Sequence, residues 1–437
     1  MSFSKRLLSG APAPFVNSKN FRAITYTGNG GTQSITGVGF KPDFVWLKNR
    51  SQSNYAPRIF DSSRGATKRL QSSTTAAEST DSTSLTSFDS DGFTLGSDNY
   101  VNNNGDSFVA WCWKAGGGTT SSNSNGEITT NVQANQDAGF SIVTFDGIAD
   151  PGEKRSFGHG LSNAPEFIWM KRRGSAQHNA VFAKINGTWE YFDGTSSNDQ
   201  GGDYSAYIAT TSTVIDIHDA AEWFADASSQ YVYWCWHSVE NYSKIGTYTG
   251  DRPNDVLVET GFEVGFVMIK AVDATDDWFI VDNKRGDNLL YANLNNAETS
   301  FTGVSFLSNG FMLNGSANSG GTNNAGTTFI YMAFATDPDT EAPTLADSFN
   351  IKLYTGNDST NAISGLGFKP NLVWIKNRDT GSRWHQWFDN LRMHNALASN
   401  NNEAQVAEAT NGVRSFDTDG FTVAGTGGYT NANGEDY

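Results

Sequence analysis

The chain has 437 residues, of which 45 are glycine, 13% are aromatic and only 17% are charged. A chain of this length is longer than a single hydrophobic core usually supports, which predicts about two to four domains. The formal net charge of −16 argues against a general affinity for nucleic acid, because phosphate binding needs clustered Lys and Arg. No stretch approaches the roughly 20 consecutive apolar residues of a membrane-spanning helix, so membrane insertion is not expected either.

Residues 1–20 form an N-terminal arm that differs in charge from the rest of the chain. The arm carries Lys5, Arg6 and Lys19 and no acidic residue. A short, basic, proline-containing segment suits docking onto an acidic protein surface. The alternative interpretation is an unstructured terminus. We predict that these three residues anchor the protein to a partner.

Module one, residues 21–118, sets the pattern of an internal repeat. Its phrases include Tyr-Thr-Gly-Asn, Gly-Phe-Lys-Pro-Asp-Phe-Val-Trp-Leu-Lys-Asn-Arg, Ser-Asp-Gly-Phe and Val-Ala-Trp-Cys-Trp. Alternation in the second phrase places Val45 and Leu47 on one strand face and Phe44 and Trp46 on the other. That strand is therefore expected to be buried on both sides. The Asp-Gly step between apolar runs is typical of a hairpin turn.

Three further modules share these landmarks. They are module two (139–240), module three (241–336) and module four (349–437). Module four matches module one in the sequence of its motifs and in their spacing. Tyr26 and Trp46 are 20 residues apart, as are Tyr354 and Trp374. The agreement predicts that all four modules share one fold.

The segments between the modules differ in composition. Residues 119–138, rich in Gly, Ser, Thr and Asn, are predicted to be a flexible linker, and residues 337–348 an acidic, proline-containing spacer. In module four, Tyr437 matches Phe108, the residue at which the last apolar strand of module one begins. Module four is therefore expected to lack that strand, which a longer polypeptide or another chain would supply.

Composition and repeat together predict an all-β protein of tandem β-sandwich modules, jelly-roll or lectin-like, in four sequence repeats. Trp46, Trp169 and Trp374 occupy matching apolar runs and are predicted to lie in the core. Cys112 and Cys235 occupy matching Trp-Cys-Trp phrases. Because matching positions of different modules are not expected to face each other, we predict two buried thiols and no disulfide.

An Asp-x-x-Arg phrase recurs in three modules, and a Glu follows each copy 16 to 19 residues later. The pairs are Asp61 and Arg64, Asp282 and Arg285, and Asp389 and Arg392. Paired carboxylates are the machinery of glycoside hydrolysis. The simpler interpretation is an Asp–Arg bond within a turn. Three copies of one catalytic site in one chain are unusual, so we predict no catalytic residue; no phrase has metal-ligand spacing or suggests a cofactor.

Several tryptophans lie outside the repeated phrases and are candidates for stacking on sugar rings or on a partner protein. These are Trp189, Trp223, Trp278, Trp384 and Trp387. No repeated position accounts for them. We therefore predict that some of them contact a carbohydrate or another chain.

The repeated phrases, taken together, resemble a repeat of virion proteins of marine bacteriophages, including cyanophages, usually described as a tail-fibre-like or lectin-like (concanavalin A-like) module. The resemblance covers residues 21–437, and module two departs from it by lacking the Asp-x-x-Arg phrase. It implies a non-enzymatic structural protein on the tail or another surface of the virion. The implied partners are other virion proteins through the arm, further copies of the chain, with a trimer favoured, and a host surface glycan. A head decoration or capsid fibre protein and a surface polysaccharide depolymerase are the alternatives.

Overall fold

The computed structural model describes residues 19–147, 153–197, 199–218, 225–227, 229–315, 321–336, 349–393, 395–399, 404–408 and 410–437. The chain divides into two compact units, unit 1 (Met1–Asp337) and unit 2 (Pro338–Tyr437). Antiparallel strands dominate both units, which confirms the predicted all-β class. Within the described ranges, no helix has the length and apolar character needed to cross a membrane.

Module one is a sandwich of a large and a small sheet. Its elements are β1 (Phe21–Thr27), β2 (Gln33–Thr36), β3 (Phe44–Asn49), β4 (Arg58–Asp61), β5 (Lys68–Gln71), β6 (Ser79–Thr80), β7 (Leu85–Asp89), β8 (Gly92–Leu95), α1 (Asn99–Asn102) and β9 (Ser107–Trp113). The large sheet has the order β1-β9-β3-β4-β5-β6 and the small sheet β2-β8-β7. Gly92, at φ +147°, forms the β7–β8 hairpin. A Cβ there would lie 1.9 Å from the Ile35 carbonyl oxygen, so the turn requires glycine.

Module two has the same two-sheet plan with a wider large sheet. Its strands are β10 (Ser121–Asn123), β11 (Thr130–Asn135), β12 (Phe140–Asp146), β13 (Lys154–Gly158), β14 (Phe167–Arg172), β15 (Ala180–Ile185), β16 (Thr188–Asp193), β17 (Asp199–Asp203), β18 (Ile208–Thr210), β19 (Val214–His218) and β20 (Gln230–Trp236). The large sheet runs β10-β11-β12-β20-β14-β15-β16-β17, and the small sheet β13-β19-β18.

The stretch 119–138, predicted to be a linker, is instead partly sheet. It contains β10 and β11, which form one edge of the large sheet of module two. Ile128 and Val132 are buried there, and the Gln133 side chain hydrogen-bonds Ser62 and Ser63 of module one. The composition indicated turns correctly, but a neighbouring strand and a few buried side chains suffice to order such a segment.

Module three has the strand order of module one. Its strands are β21 (Ser243–Thr249), β22 (Val256–Glu259), β23 (Val264–Ala271), β24 (Phe279–Asp282), β25 (Asn288–Tyr291), β26 (Thr299–Ser300), β27 (Val304–Leu307), β28 (Gly310–Leu313) and β29 (Thr328–Ala335). The large sheet is β21-β29-β23-β24-β25-β26 and the small sheet β22-β28-β27. The central pairs also agree in register, because Trp46 lies opposite Trp111 and Met268 lies opposite Met332.

Modules one to three share a single core, here called the common core, and are not independent tandem domains. One face of each large sheet packs on the small sheet of its own module, as the cluster of Val45, Leu47 and Phe93 shows. The opposite faces of all three large sheets meet in one cluster that includes Trp46, Trp169 and Met268. Each central strand is therefore buried on both faces, which explains its uninterrupted apolar sequence.

Unit 2 consists of module four. Its strands are β30 (Asn361–Ser364), β31 (Leu372–Ile375), β32 (Gln386–Asp389), β33 (Asn395–Ala398), β34 (Val406–Ala407), β35 (Gly412–Asp417) and β36 (Gly420–Ala424). The sheets are β31-β32-β33-β34 and β30-β36-β35. Tyr437 stacks on Tyr354 at 5.1 Å, as Phe108 stacks on Tyr26 at 5.2 Å, so it occupies the place that the sequence predicted.

Both cysteines are free thiols. Cys112 lies in the sandwich core of module one and Cys235 in that of module two, each fully buried. Burial raises the pKa of both thiols above the ordinary value. The prediction of two buried, unpaired cysteines is confirmed.

Candidate functional site

The Asp-x-x-Arg phrase of module one lies at its contact with module two. Asp61 accepts hydrogen bonds from the backbone N–H of Arg64 (2.9 Å) and from its Nε (2.6 Å). The same carboxylate accepts a third bond, 3.0 Å long, from the indole Nε1–H of Trp234 in module two. The Arg64 guanidinium lies 5.6 Å from the Trp234 ring centre, close enough for a cation–π contact. The phrase therefore binds a tryptophan of the next module.

A second ion pair completes this cluster. Glu78 accepts a hydrogen bond from Arg64 Nη1 at 3.0 Å and two from Arg173 of module two, both at 2.8 Å. Burial on its own would raise the pKa of Glu78, but the bonds and charges of Arg173 and Arg64 outweigh it and hold the pKa below its ordinary value. Glu78 is thus held ionised, whereas a general acid needs a raised pKa. We call this set of five residues a junction cluster.

Module three meets module one through an equivalent junction cluster. Asp282 accepts from Arg285 Nε at 2.7 Å and from the indole Nε1–H of Trp111 at 2.9 Å. Glu298 accepts from Arg285 Nη1 at 3.0 Å and from Arg50 Nη2 at 2.7 Å. Arg50 and Arg173 hold the same position after the central strand. The contacts are therefore directional: one module supplies Asp, Arg and Glu, and its neighbour supplies Trp and Arg.

The contact between modules two and three has lost both halves of this cluster together. By strand register, Ala183 of module two stands where Asp61 stands in module one. On the facing side, module three has Met332 at the position of Trp111 and Val272 at the position of Arg50. All three residues pack in or against the common core. Because both halves are absent, neither the Asp nor the Trp of such a cluster is buried here without its partner, which would be costly.

At this contact, Trp278 provides a polar interaction in place of the junction cluster. Its indole Nε1–H donates to the backbone carbonyl of Asp193 at 3.2 Å, and its ring lies 5.7 Å from Phe192 of module two. Module two thus joins module three through a backbone acceptor in place of a carboxylate. The three contacts, one to two, two to three and three to one, form a closed ring.

A buried lysine lies near the end of the central strand in each module of unit 1. Lys48 Nζ donates to the Leu294 carbonyl of module three at 2.5 Å, and Lys171 Nζ donates to the Gln177 carbonyl. Burial, with a smaller effect from the charge of Arg285, lowers the pKa of Lys48 to about 7. Burial lowers the pKa of Lys171 to about 8. Near neutral pH, burying the protonated amine of Lys48 therefore lowers the free energy of unfolding of the ring.

The pKa of Lys48 predicts a pH dependence of stability. An unfolded lysine has a pKa of about 10.4, so between pH 7 and 9 the unfolded chain binds a proton that the folded chain lacks. The free energy of unfolding should then rise with pH across this window. In Lys48→Met, calorimetry at pH 7, 8 and 9 should show a smaller rise, with the remainder due to Lys171. Lys184→Met, at an exposed position, is the control; equal slopes in all three proteins would contradict the prediction.

The third Asp-x-x-Arg phrase, in module four, has the same internal geometry but faces solvent. Asp389 accepts from Arg392 Nε at 2.7 Å, and the two side chains are about one-quarter exposed. The Arg392 side chain, through its hydrogen bond, lowers the pKa of Asp389. Glu408 does not join them; its carboxylate accepts from Gln386 at 3.0 Å.

The predicted tryptophan sites have mixed outcomes. Trp189 and Trp278 are buried, at 3% and 2% exposure, so they cannot stack on a sugar ring, and the prediction is wrong for both. Trp384 and Trp387 are partly exposed in unit 2, where they contact Tyr429 and Trp374. Trp223 lies outside the described residues.

Two further predictions concern the arm and the core. Lys5 and Arg6 lie outside the described residues, and Lys19 is exposed just before β1, so the anchor stays a prediction. Trp46 and Trp169 are core residues as predicted, whereas Trp374 is 61% exposed and the prediction is wrong for it.

In the described part of the chain, no group of three or more His, Cys, Asp or Glu side chains is placed to hold a metal ion.

Sequence reasoning identified the Asp–Arg bond but missed its partners. Trp111, Trp234, Arg50 and Arg173 were assigned to core strands or left without a role. A signal existed: module two lacks the Asp-x-x-Arg phrase, and the module that follows it lacks the matching Trp and Arg. A joint loss in consecutive modules indicates that the two halves contact each other.

Comparison with known proteins gives a family and one structural likeness. No curated protein matches the chain. The crystal structure of the major capsid protein P2 from Bacteriophage PM2 matches with a TM-score of 0.19 and 10% sequence identity, over 46% of this chain and 99% of that chain. The model of one family, described as a domain of unknown function (DUF7483), matches residues 16–338 and 344–437. The chain therefore belongs to this family.

Proposed function

We propose that the protein is a non-enzymatic structural component of a bacteriophage particle, built from four copies of one β-sandwich module, and that it serves in a tail fibre or another appendage. The observation that carries the proposal is the use of the repeated charged residues. In unit 1 both copies of the Asp-x-x-Arg phrase, with their Glu residues, bind the neighbouring module. The repeat thus serves assembly, as expected of a scaffold, and its motifs resemble those of a repeat in bacteriophage virion proteins.

The main alternative is a head decoration or capsid fibre protein. The same ring of three modules suits a protein that reinforces a capsid or projects from it. The location of the protein on the particle therefore distinguishes the two functions. The test is immunogold electron microscopy of intact phage with antibody raised against modules two and three. Gold on the tail or its fibres supports the proposal. Gold spread over the head establishes the alternative, and particles without gold overturn both.

The minor alternative is a surface polysaccharide depolymerase. The carboxylates it would need, Asp61 and Glu78, are engaged by Arg64, Trp234 and Arg173. Incubating the protein with purified host surface polysaccharide and measuring reducing ends tests this directly. We expect no release above the rate without protein, and sustained release would establish the enzyme.

Attachment to a host glycan is the finer part of the proposal, and unit 2 offers the candidate surface. Trp384 stacks on Tyr429 at 5.5 Å, and the Arg383 guanidinium lies 5.6 Å from the same tyrosine ring. Partly exposed aromatic rings beside a cation are a common platform for sugars. Binding to host cells should fall in Trp384→Ala and persist in Trp189→Phe, whose ring is buried.

A further inference from the structure

One face of module four is apolar and exposed, although the same face is buried in the other modules. Leu372 and Trp374 on β31 are 54% and 61% exposed. Their counterparts on β3, Phe44 and Trp46, are 1% and 2% exposed. The register establishes the equivalence, because Leu372 lies opposite Asp389 as Phe44 lies opposite Asp61. We call this surface the open face of module four.

In unit 1 this face is covered by the equivalent faces of two other modules. Trp46 meets Trp169 of module two at 5.1 Å between ring centres, and Phe21 meets Phe334 of module three at 4.7 Å. Three sheets thus close one core. All three faces in unit 1 are already used in this way. Each of these three faces is therefore occupied by the other two.

Module four also keeps polar groups of both halves of a junction cluster. Asp389 and Arg392 retain the bonded pair that binds the neighbouring module in modules one and three. Arg378, half exposed, holds the position of Arg50 and Arg173, each of which pairs with a Glu of its neighbour. Among the described residues, the Trp of the cluster has no counterpart in module four, and Glu408 bonds Gln386 in place of Arg392. The charged groups that remain, on opposite sides of the module, can each meet one further copy.

We propose that three copies of the chain associate through the open faces of their fourth modules, in a ring like that formed by modules one to three. The contact is head to tail, and such contacts close when the rotation fits a ring, here one of three. Two further copies are needed because two neighbours cover each face in unit 1. The proposal rests on the modular architecture put forward above and is independent of where the protein sits on a particle.

The test is the mass of the full chain in solution, measured by sedimentation at micromolar concentration. We expect a particle of three times the 47.3 kDa chain mass. Trp374→Glu places a charge at the centre of the open face and should reduce the mass threefold, to that of the monomer. Because Trp374 is exposed within its own module, the variant should keep the far-ultraviolet circular dichroism spectrum of the wild type.

The matched control is Leu257→Glu, which places the same charge on an exposed apolar residue of β22 in unit 1, at 60% exposure. This variant should remain a trimer. A monomeric or dimeric wild-type chain overturns the proposal, and so does a trimer that survives Trp374→Glu. Neither result bears on gold labelling of particles, so the two proposals can fail separately.

Discussion

Asp61→Ala is expected to lower the unfolding free energy of unit 1 by about 3–5 kcal/mol, the usual cost of removing one partner of a buried ion pair. Asp61 is fully buried and accepts bonds from Arg64 and from the indole of Trp234. Its removal leaves the Trp234 N–H without an acceptor and weakens the pairing of Arg64. Calorimetry should show the transition of unit 1 shifted to lower temperature.

The chain contains its own control for this experiment. Asp389→Ala removes the same carboxylate from the same motif in unit 2, where Asp389 is about one-quarter exposed. Among the described residues its donors are the Leu391 and Arg392 N–H groups, and no indole N–H donates to it. This variant should leave the transition of unit 1 unchanged. Equal effects of the two substitutions would show that the contact with the neighbouring module is not what Asp61 contributes.

Trp46→Ala should have an effect of similar size, about 3–5 kcal/mol, because it opens a cavity at the centre of the common core. The ring of Trp46 lies 5.0 Å from Trp111 of its own module and 5.1 Å from Trp169 of module two. The substitution therefore removes contacts within and between modules. The measurement is again the unfolding transition of unit 1.

Trp46→Phe separates volume from hydrogen bonding. Among the described residues, the Trp46 indole N–H has no hydrogen-bond partner. Phenylalanine thus loses only part of the volume and should be tolerated far better than alanine. If the two variants were equally destabilised, the site would depend on the indole itself and not on filling the core.

The sequence predicted the strands well because their signals are local. The alternation around Trp46 correctly placed Val45 and Leu47 in one core and Phe44 in another. The hairpin before Phe93 could be predicted equally well from its Asp-Gly step, because the turn requires a glycine. Such features depend on a few neighbouring residues, so they can be predicted from a single sequence.

Burial between modules could not be predicted in the same way. Trp46 and Trp374 occupy matching phrases, yet one is buried and the other is exposed. Trp46 contacts Trp111 on the neighbouring strand β9 and Trp169 of module two. Among the described residues, β31 has neither such a strand beside it nor such a face against it, a difference that the local sequence does not specify. Trp278 was misassigned for a related reason: it is a core residue at one module contact, and no other module repeats it.

The closed order of contacts also bears on how the chain is synthesised. Trp111 and Asp282 are 171 residues apart, so the contact of module three with module one forms only when module three has emerged. Translation at roughly 5–20 residues per second separates these two residues by about 9–34 s, so part of the inner face of module one stays uncovered for that time. During that time a row of tryptophans is open to aggregation, and the nascent chain becomes a natural client for holding chaperones.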